Sequence, residues 1–426
     1  MKKAIVIGSG AAGATVAKEL QGIFAVTVLE AGKQFRPFSY SLAYLERLRK
    51  SGLFFDEREI RWLFPAMQIR KTREKMVLVN GIGTGGTTTI STGNALRMDG
   101  ELKKIGIDLD VEFNQIMKEI PISTGHQKHW NKTTRQLFKT FESMDLNPQP
   151  TPKMGNYEHC KHCGKCIFGC PEGVKWDSRQ FLQDAISRGA NLVTGCRIQK
   201  IIIENGKAKG VTAGKRFSSK FFPADVIILS AGGFGTPVVL QNSGIDCKAG
   251  LFVDPVLCVA TERAGALQNK EVAMPFVAQL DHFMVSPYFD YLSFFFNKQW
   301  RRPARNILSL MIKLADSNKG TISGRKVDKI LNEQDKKHLQ QGVALCHEIF
   351  GKIGLKKQDL FLGTLNAGHP GGMFPLTEKE AETFHHSTLP DNLFIADATL
   401  IPKSLGNPPI LTIIALAKRV SRLIKQ

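Results

Sequence analysis

An apolar run, Ala4–Ile7, leads straight into Gly8-Ser9-Gly10-Ala11-Ala12-Gly13, and few patterns narrow the choice of fold as much as this one. The spacing Gly-x-Gly-x-x-Gly predicts a strand, a tight turn and a helix over Ala14–Leu20, then a second strand over Ala25–Leu29 ending in Glu30. Gly8 allows the sharp turn, Gly10 lets the backbone approach a pyrophosphate, and Gly13 lets the helix pack closely on the strand. The helix N-terminus, reached through Ala11 and Ala12, offers unpaired N–H groups and positive partial charge to phosphates. Glu30, 20 residues after Gly10, stands where a carboxylate accepts hydrogen bonds from ribose hydroxyls, which favours NAD or FAD over NADP.

The rest of the chain sets outer limits. With 426 residues, 42% hydrophobic and 23% charged, it has material for two or three domains or one large two-lobed fold, which excludes disorder. Lys2 and Lys3 before an uncharged stretch mimic an export signal, but the glycine pattern within that stretch implies a retained segment. Val226–Ile245 reaches membrane-spanning length, yet its Gly-Gly, Pro, Gln and Asn predict a strand, a turn and a short helix; no transmembrane segment is expected. Eight Cys in so long a chain are not a disulfide scaffold, and their clustering points to a reducing, cytoplasmic setting. Net charge is 58 − 38 = +20, but the basic residues are scattered apart from short clusters such as Lys298–Arg305. That reads as a solvated face attractive to acidic partners, not as a nucleic-acid footprint.

Three further segments select the cofactor. Val77–Arg97 is Gly/Thr-rich and able to wrap a cofactor with backbone groups; Ser230–Pro237 reads SAGGFGTP after a strand; and the end of the chain reads IADATLIPKSLGNPPILT. There a strand Leu393–Ala396 ends at Asp397, and a long helix is expected from Asn407, with Asn407 as N-cap and Pro408 and Pro409 at the first helical positions. With the loop NAGHPGGM around His369, this order of motifs resembles the glucose–methanol–choline (GMC) family of FAD-dependent oxidoreductases. The resemblance spans most of the chain, is most specific at the C-terminal block and is weakest over 256–360. It implies an α/β fold: a Rossmann-like FAD-binding domain with a second, antiparallel-sheet substrate or cap domain. It also implies cofactor contacts at Gly8, Gly10, Ala11, Ala12, Gly13, Glu30, Gly85, Gly86, Asn94, Asp397 and Pro408. Asp397 alone could equally be a turn cap. His369 matches the family's catalytic histidine and Asn407 the second residue of that pair. Oxidation of an alcohol would then pass the hydride to flavin N5, with neutral His369 taking the hydroxyl proton and Asn407 orienting the oxygen. His282 reads as structural and His385-His386 as an exposed loop.

Cys160, Cys163, Cys166 and Cys170 have the spacing C-x2-C-x2-C-x3-C-P of a ferredoxin-type iron–sulfur run. An iron–sulfur cluster is expected, [4Fe-4S] closed by Cys170 or by a distant Cys, or [3Fe-4S]; zinc and plain structural thiols are the competing readings. A cluster converts hydride transfer into one-electron transport. That suits a dehydrogenase passing electrons to an acidic electron-carrier protein or a quinone better than an oxidase.

The domain limits expected are 1–110, 155–255 and 362–426 for the FAD-binding domain, 111–154 for a helical or linker segment of the cap, and 256–361 for the substrate-binding cap. Asn147–Lys153 reads as irregular linker and Asn332–Ile353 as an amphipathic helix with Leu339, Val343, Cys346 and Phe350 on its core face. Phe276–Trp300 holds nine aromatic residues, several at strand-like alternation, fitting either a sheet core or the pocket wall for a small apolar alcohol; Phe294–Phe296 with Arg301 and Arg302 would serve a peripheral membrane contact. The competing functions are an oxidase or a reductase of the same fold and, from another class, a basic nucleic-acid-binding or scaffold protein.

Overall fold

A computed structural model describes residues 1–39, 46–47, 49, 56–215, 218–247, 250–317, 319–324 and 326–426. The glycine pattern forms strand Lys2–Ile7, helix Ala11–Glu19 and strand Phe24–Leu29. The helix starts earlier than its apolar periodicity predicts because Gly10 already serves as N-cap, its carbonyl accepting from the Ala14 amide at 3.0 Å. A Cβ on Gly13 would lie 2.0 Å from the Gly8 carbonyl oxygen, so only glycine permits this helix–strand approach. Gly8 itself has φ of 99°, in the region that favours glycine.

The two strands join a five-stranded sheet in the order 393–395, 226–229, 2–7, 24–29, 191–193, every neighbour parallel. The chain fills one side of the first strand and later returns to the other. The order therefore reverses between Lys2–Ile7 and Val226–Leu229, and a crevice opens at the strands' carboxyl ends, where such sheets bind ligands. The spanning-length run resolves as strand Val226–Leu229 and helix Gly232–Asn242, and among the described residues no helix is long and apolar enough to cross a membrane.

The second sheet has nine strands and centres on the antiparallel pair Val256–Glu262 and Ile307–Leu314. All eight residues of Ile307–Leu314 are buried because both faces are covered. Leu308, Leu310 and Ile312 pack in one cluster with Cys346 and Phe350 of helix Glu333–Lys352; Ile307 and Met311 pack in another with Phe289, Tyr291 and Trp300. That helix has the limits its pattern predicts, opened by a capping box between Asn332 and Asp335. Asn366–Ala367 runs parallel to Val77–Leu78 at the sheet's other end, tying the cap to the Gly/Thr-rich segment.

Several expectations are corrected here. Asn147–Lys153 is not linker: Gln149–Pro150 pairs with Phe276–Val277, and Lys153 is fully buried on a strand paired with Ile122–Ser123. The aromatic stretch does not stay in strands, since Tyr291–Phe296 is a helix. Phe294 and Phe295 are buried in it, which removes the proposed membrane patch. His385 and His386 are half-buried, each within hydrogen-bond distance of a carbonyl, of Pro390 and Pro375 respectively. His282 stacks on His338 with ring centroids 3.8 Å apart, a structural contact as expected.

Candidate active site

The crevice opens into one cavity of 1510 Å³. This exceeds the roughly 300–1,000 Å³ of an ordinary small-molecule pocket and leaves room for a dinucleotide together with a substrate. Gly8, Gly10, Ala11, Ala12 and Glu30 line one end. Gly86, Asn94, His369, Asp397 and Pro408 also reach its wall, whereas Gly13 and Gly85 lie behind it. A Cβ built on Gly10 would meet nothing nearer than 3.9 Å, so its bare backbone faces open space.

Glu30 is 5% exposed and each of its oxygens holds two donors from the chain. Oε2 accepts from the Ser9 amide (3.0 Å) and hydroxyl (2.7 Å), Oε1 from the amides of Gly32 (2.8 Å) and Gly83 (3.1 Å). The acid thus locks the glycine turn to the Gly/Thr-rich segment and presents its edge to the cavity. Gly85, at φ of 88°, caps the short helix Gly86–Ile90 of that segment. Asp397 combines both readings left open for it. It caps Ala398–Leu400 by accepting from Thr399, takes the Gly232 amide at the mouth of the next helix, and still lines the cavity. Burial raises its pKa, partly offset by the Thr236 and Thr399 hydroxyls.

His369 lies opposite, in a loop clamped by backbone bonds from His369 to Val253 and from Gly371 to Phe252. Its imidazole is 24% exposed, with Nδ1 3.6 Å from Asp254 Oδ2. Asp254 sits at φ of 53°, in the left-handed region, ahead of Pro255. Its amide is fixed at 2.8 Å on the Asp316 carboxylate. Lys313 reaches Asp254 at 2.9 Å, and Lys329 reaches Asp316 at 2.7 Å, each pair almost wholly buried. Burial, reinforced by the Lys313 charge, pulls the His369 pKa down to about 4, so the imidazole is neutral at neutral pH. Asp254 keeps its charge: burial opposes this, but Lys313, His369 and the Ser404 hydroxyl together hold its pKa low.

Asn407 departs from expectation. The terminal helix begins at Ile410 with Pro409 as its cap residue, and the Asn407 side chain caps nothing. Its amide is buried and donates to Gln279 Oε1 at 2.7 Å, and it does not line the cavity. The cause is the preceding turn: the Ser404 hydroxyl and Gly406 amide bind Asp254, which draws the Asn-Pro-Pro segment away from helical geometry.

The four spaced cysteines converge on one small void, shared with Tyr157, Lys175 and Glu271. Among the described residues, however, no three His, Cys, Asp or Glu side chains stand together in metal-holding geometry. Burial pushes the Cys160 thiol up to about 12 and raises Cys163. Ile167 and Phe168, between the third and fourth cysteines, form part of the large cavity's wall. The loop therefore adjoins the crevice.

Residues 2–256 match the family model of the GMC oxidoreductases. The chain belongs to the GMC oxidoreductase family. The remaining comparisons agree with it. An uncharacterized protein of Methanocaldococcus jannaschii is 28% identical over 425 residues, covering 98% of both chains. A long-chain-alcohol oxidase of Arabidopsis thaliana is 22% identical over 526 residues, covering 99% of this chain and 67% of its own. Among solved structures, a pyridoxine 4-oxidase from "Mesorbium loti" superposes with a TM-score of 0.71 at 13% identity over 99% of both chains. A formate oxidase gives 0.72 at 14% identity over 100% of this chain and 98% of its own. At those identities the structural likeness concerns the fold.

As a GMC oxidoreductase the chain takes FAD, and the crevice fits it: bare glycine backbone at one end, a helix N-terminus above it and a carboxylate at the second strand. The residues that sequence reasoning missed are Asp254 and Lys313. Asp254-Pro255 before an apolar run was the available signal for the first, since Asp tolerates the left-handed region. A lysine within an otherwise apolar strand, ILSLMIKL, was the signal for the second.

Proposed function

We propose that this GMC oxidoreductase is a dehydrogenase oxidising the CH–OH group of a small, rather apolar alcohol, with electrons leaving through an iron–sulfur centre on Cys160, Cys163, Cys166 and Cys170. Bound FAD supplies a two-electron acceptor and the centre a one-electron exit. The chain's own residues do the rest. Backbone amides at Gly10–Ala12 and the helix dipole hold the pyrophosphate, Glu30 and Asp397 bind polar cofactor groups, and Gly86, Asn94 and Pro408 complete the enclosure. His369 takes the hydroxyl proton. The observation that carries the reading is a neutral imidazole on the wall of the cavity that starts at the glycine turn. Met67, Ile69, Val256, Met274 and Met311 supply an apolar lining for the substrate. In this reading Asn407, bonded to Gln279 and off the cavity wall, does not touch the substrate oxygen. The reading takes 1–110, 155–255 and 362–426 as the FAD-binding parts, 111–154 as a cap segment and 256–361 as the cap, and the +20 charge suits an acidic carrier in a cytoplasmic setting.

A second reading, an oxidase, is favoured by the plant relative and both structural neighbours, which are oxidases by name. Anaerobic mixing with a panel of straight-chain primary alcohols tests the common core: the flavin band should bleach. Failure of every alcohol, or oxidation of reduced flavin by an unsaturated compound, would overturn it. Oxygen uptake with peroxide formation during turnover selects the oxidase. Dye reduction without oxygen uptake, together with an iron–sulfur signal in electron paramagnetic resonance, selects the dehydrogenase.

A further inference from the structure

Among the described residues, four buried acids form no ion pair: Glu30, Asp290, Asp335 and Asp397. A buried carboxylate without a counter-charge is costly, so each needs another reason to be there. Asp335 closes the capping box of helix Glu333–Lys352 and holds the Ser317 amide and hydroxyl. Glu30 and Asp397 follow strands of the parallel sheet and face the cofactor end of the crevice. Asp290 comes instead from the second sheet's side of the cavity, is 2% exposed, and lines that cavity too. Part of its task is local: it caps helix Tyr291–Phe296, Oδ1 accepting from the Leu292 amide at 3.0 Å and Oδ2 from the Ser293 hydroxyl. Capping alone does not call for a charge, since Asn or Ser would serve as well.

Two further polar groups share that wall. Asn366 Nδ2 reaches Asp290 Oδ2 at 3.5 Å and the Thr364 carbonyl at 3.0 Å. Tyr288 has its backbone pinned to Ser309, while its hydroxyl bonds to no group among the described residues. The cluster packed around Tyr288 is apolar, and Met67, Val256, Met274 and Met311 carry it to the cavity surface. The trio also has a fixed relation to His369. Asn366 pairs with Val256, and the His369 amide bonds to the Val253 carbonyl. The two positions therefore lie along one stretch of backbone, three residues and no more than about 11 Å apart.

We propose that Tyr288, Asp290 and Asn366 form a second polar station in the substrate pocket, and that the substrate is a diol whose reacting hydroxyl lies at His369 and whose other hydroxyl binds here. This rests on reading the cavity as a site of alcohol oxidation. A hydroxyl fits both ends of the station because it donates one hydrogen bond and accepts others: it donates to the Asp290 carboxylate and accepts from the Tyr288 hydroxyl. A carbonyl or carboxylate would set oxygen lone pairs against Asp290, and an ammonium group would leave the Tyr288 donor unused. A plain alkyl end would strip water from both groups and give nothing back. No bond is made or broken at this station; it selects and orients.

The test uses the full chain loaded with FAD, as wild type, Tyr288→Phe and Asp290→Asn. Anaerobic stopped-flow flavin reduction is followed with straight-chain α,ω-diols from butanediol to decanediol, and with 1-alkanols and ω-amino alcohols of matching length. In wild type the half-saturating concentration of the best diol should lie about tenfold below that of its alkanol, as one good hydrogen bond gives. That ratio should fall towards one in either variant. General damage to the pocket would move both constants together and leave the ratio alone, and one folded variant suffices. Diols that saturate no earlier than alkanols at any length overturn the proposal, as does an amino alcohol that saturates before the diol. A diol preference that survives both substitutions overturns the assignment to these residues. Flavin that no diol or alkanol reduces sinks the alcohol-oxidation reading itself, an outcome separable from the others.

Discussion

The glycine turn and the cysteine loop both rest against the segment Thr84–Asn94, and they handle buried polarity in opposite ways. At the turn the buried acids are met from within the chain: Glu30 accepts from four donors, and Asp397 from two hydroxyls and two amides. At the loop the ammonium groups of Lys153 and Lys175 meet only neutral carbonyls and an amide oxygen. The crevice holds its buried acids with donors of its own, and the two lysines beside the loop are held by neutral oxygens.

The largest effect expected comes from chemistry in the crevice. His369→Gln should slow flavin reduction by alcohol roughly 10²–10⁴-fold, the usual contribution of a general base, while flavin content and any iron signal stay unchanged; anaerobic stopped-flow absorbance measures it. A comparable loss of flavin would mean that the crevice depends on His369 for shape, breaking the contrast. Next, Gly13→Ala forces a Cβ to within 2.0 Å of the Gly8 oxygen. Overpacking of this kind costs about 1–3 kcal/mol, and urea denaturation should place it at the upper end with weakened FAD retention. Asn407→Ala removes the side-chain hydrogen bonds to Gln279 and to the Leu405 carbonyl and should cost about 1–2 kcal/mol with less than tenfold change in flavin reduction. A larger kinetic loss would give Asn407 a direct role at the substrate.

The smallest effect is a profile that stays flat. His369 has its pKa pulled down to about 4, so it remains an unprotonated base well below the usual histidine midpoint. Flavin reduction should hold steady from pH 8 to about pH 5 and fall only near 4. The unfolded chain, with an ordinary histidine, binds a proton between about 6.5 and 4 that the folded chain refuses. His369's contribution to stability is thus complete above about 6.5 and lost as pH falls towards 4, visible as a falling urea midpoint.

What could be read in the sequence follows the same division. Gly8, Gly10, Gly13 and Glu30 act through local backbone geometry, so their spacing alone foretold strand, turn, helix and acid. Asn407 misled because Asn-Pro-Pro is a good helix start by local preference. Asp254, far away in sequence, claims the turn before it and delays the helix to Ile410. Lys153 stood in a stretch rich in proline and read as linker, because its partner strand, Ile122–Ser123, is too short to announce itself. Lys175 follows the cysteine run with no pattern of its own to single it out. Both lysines are held by neutral oxygens and form no ion pair among the described residues, which no linear pattern displays.

The paired salt links Lys313–Asp254 and Lys329–Asp316, joined through the amides at 253–254, have an evolutionary corollary. Deleting one member strands its mate, at about 3–5 kcal/mol, while exchanging a whole pair for hydrophobic residues can be nearly neutral. Descendants of this chain should therefore change these four positions in couples, never singly, so that Asp254 could be lost only by lineages that give up Lys313 in the same step.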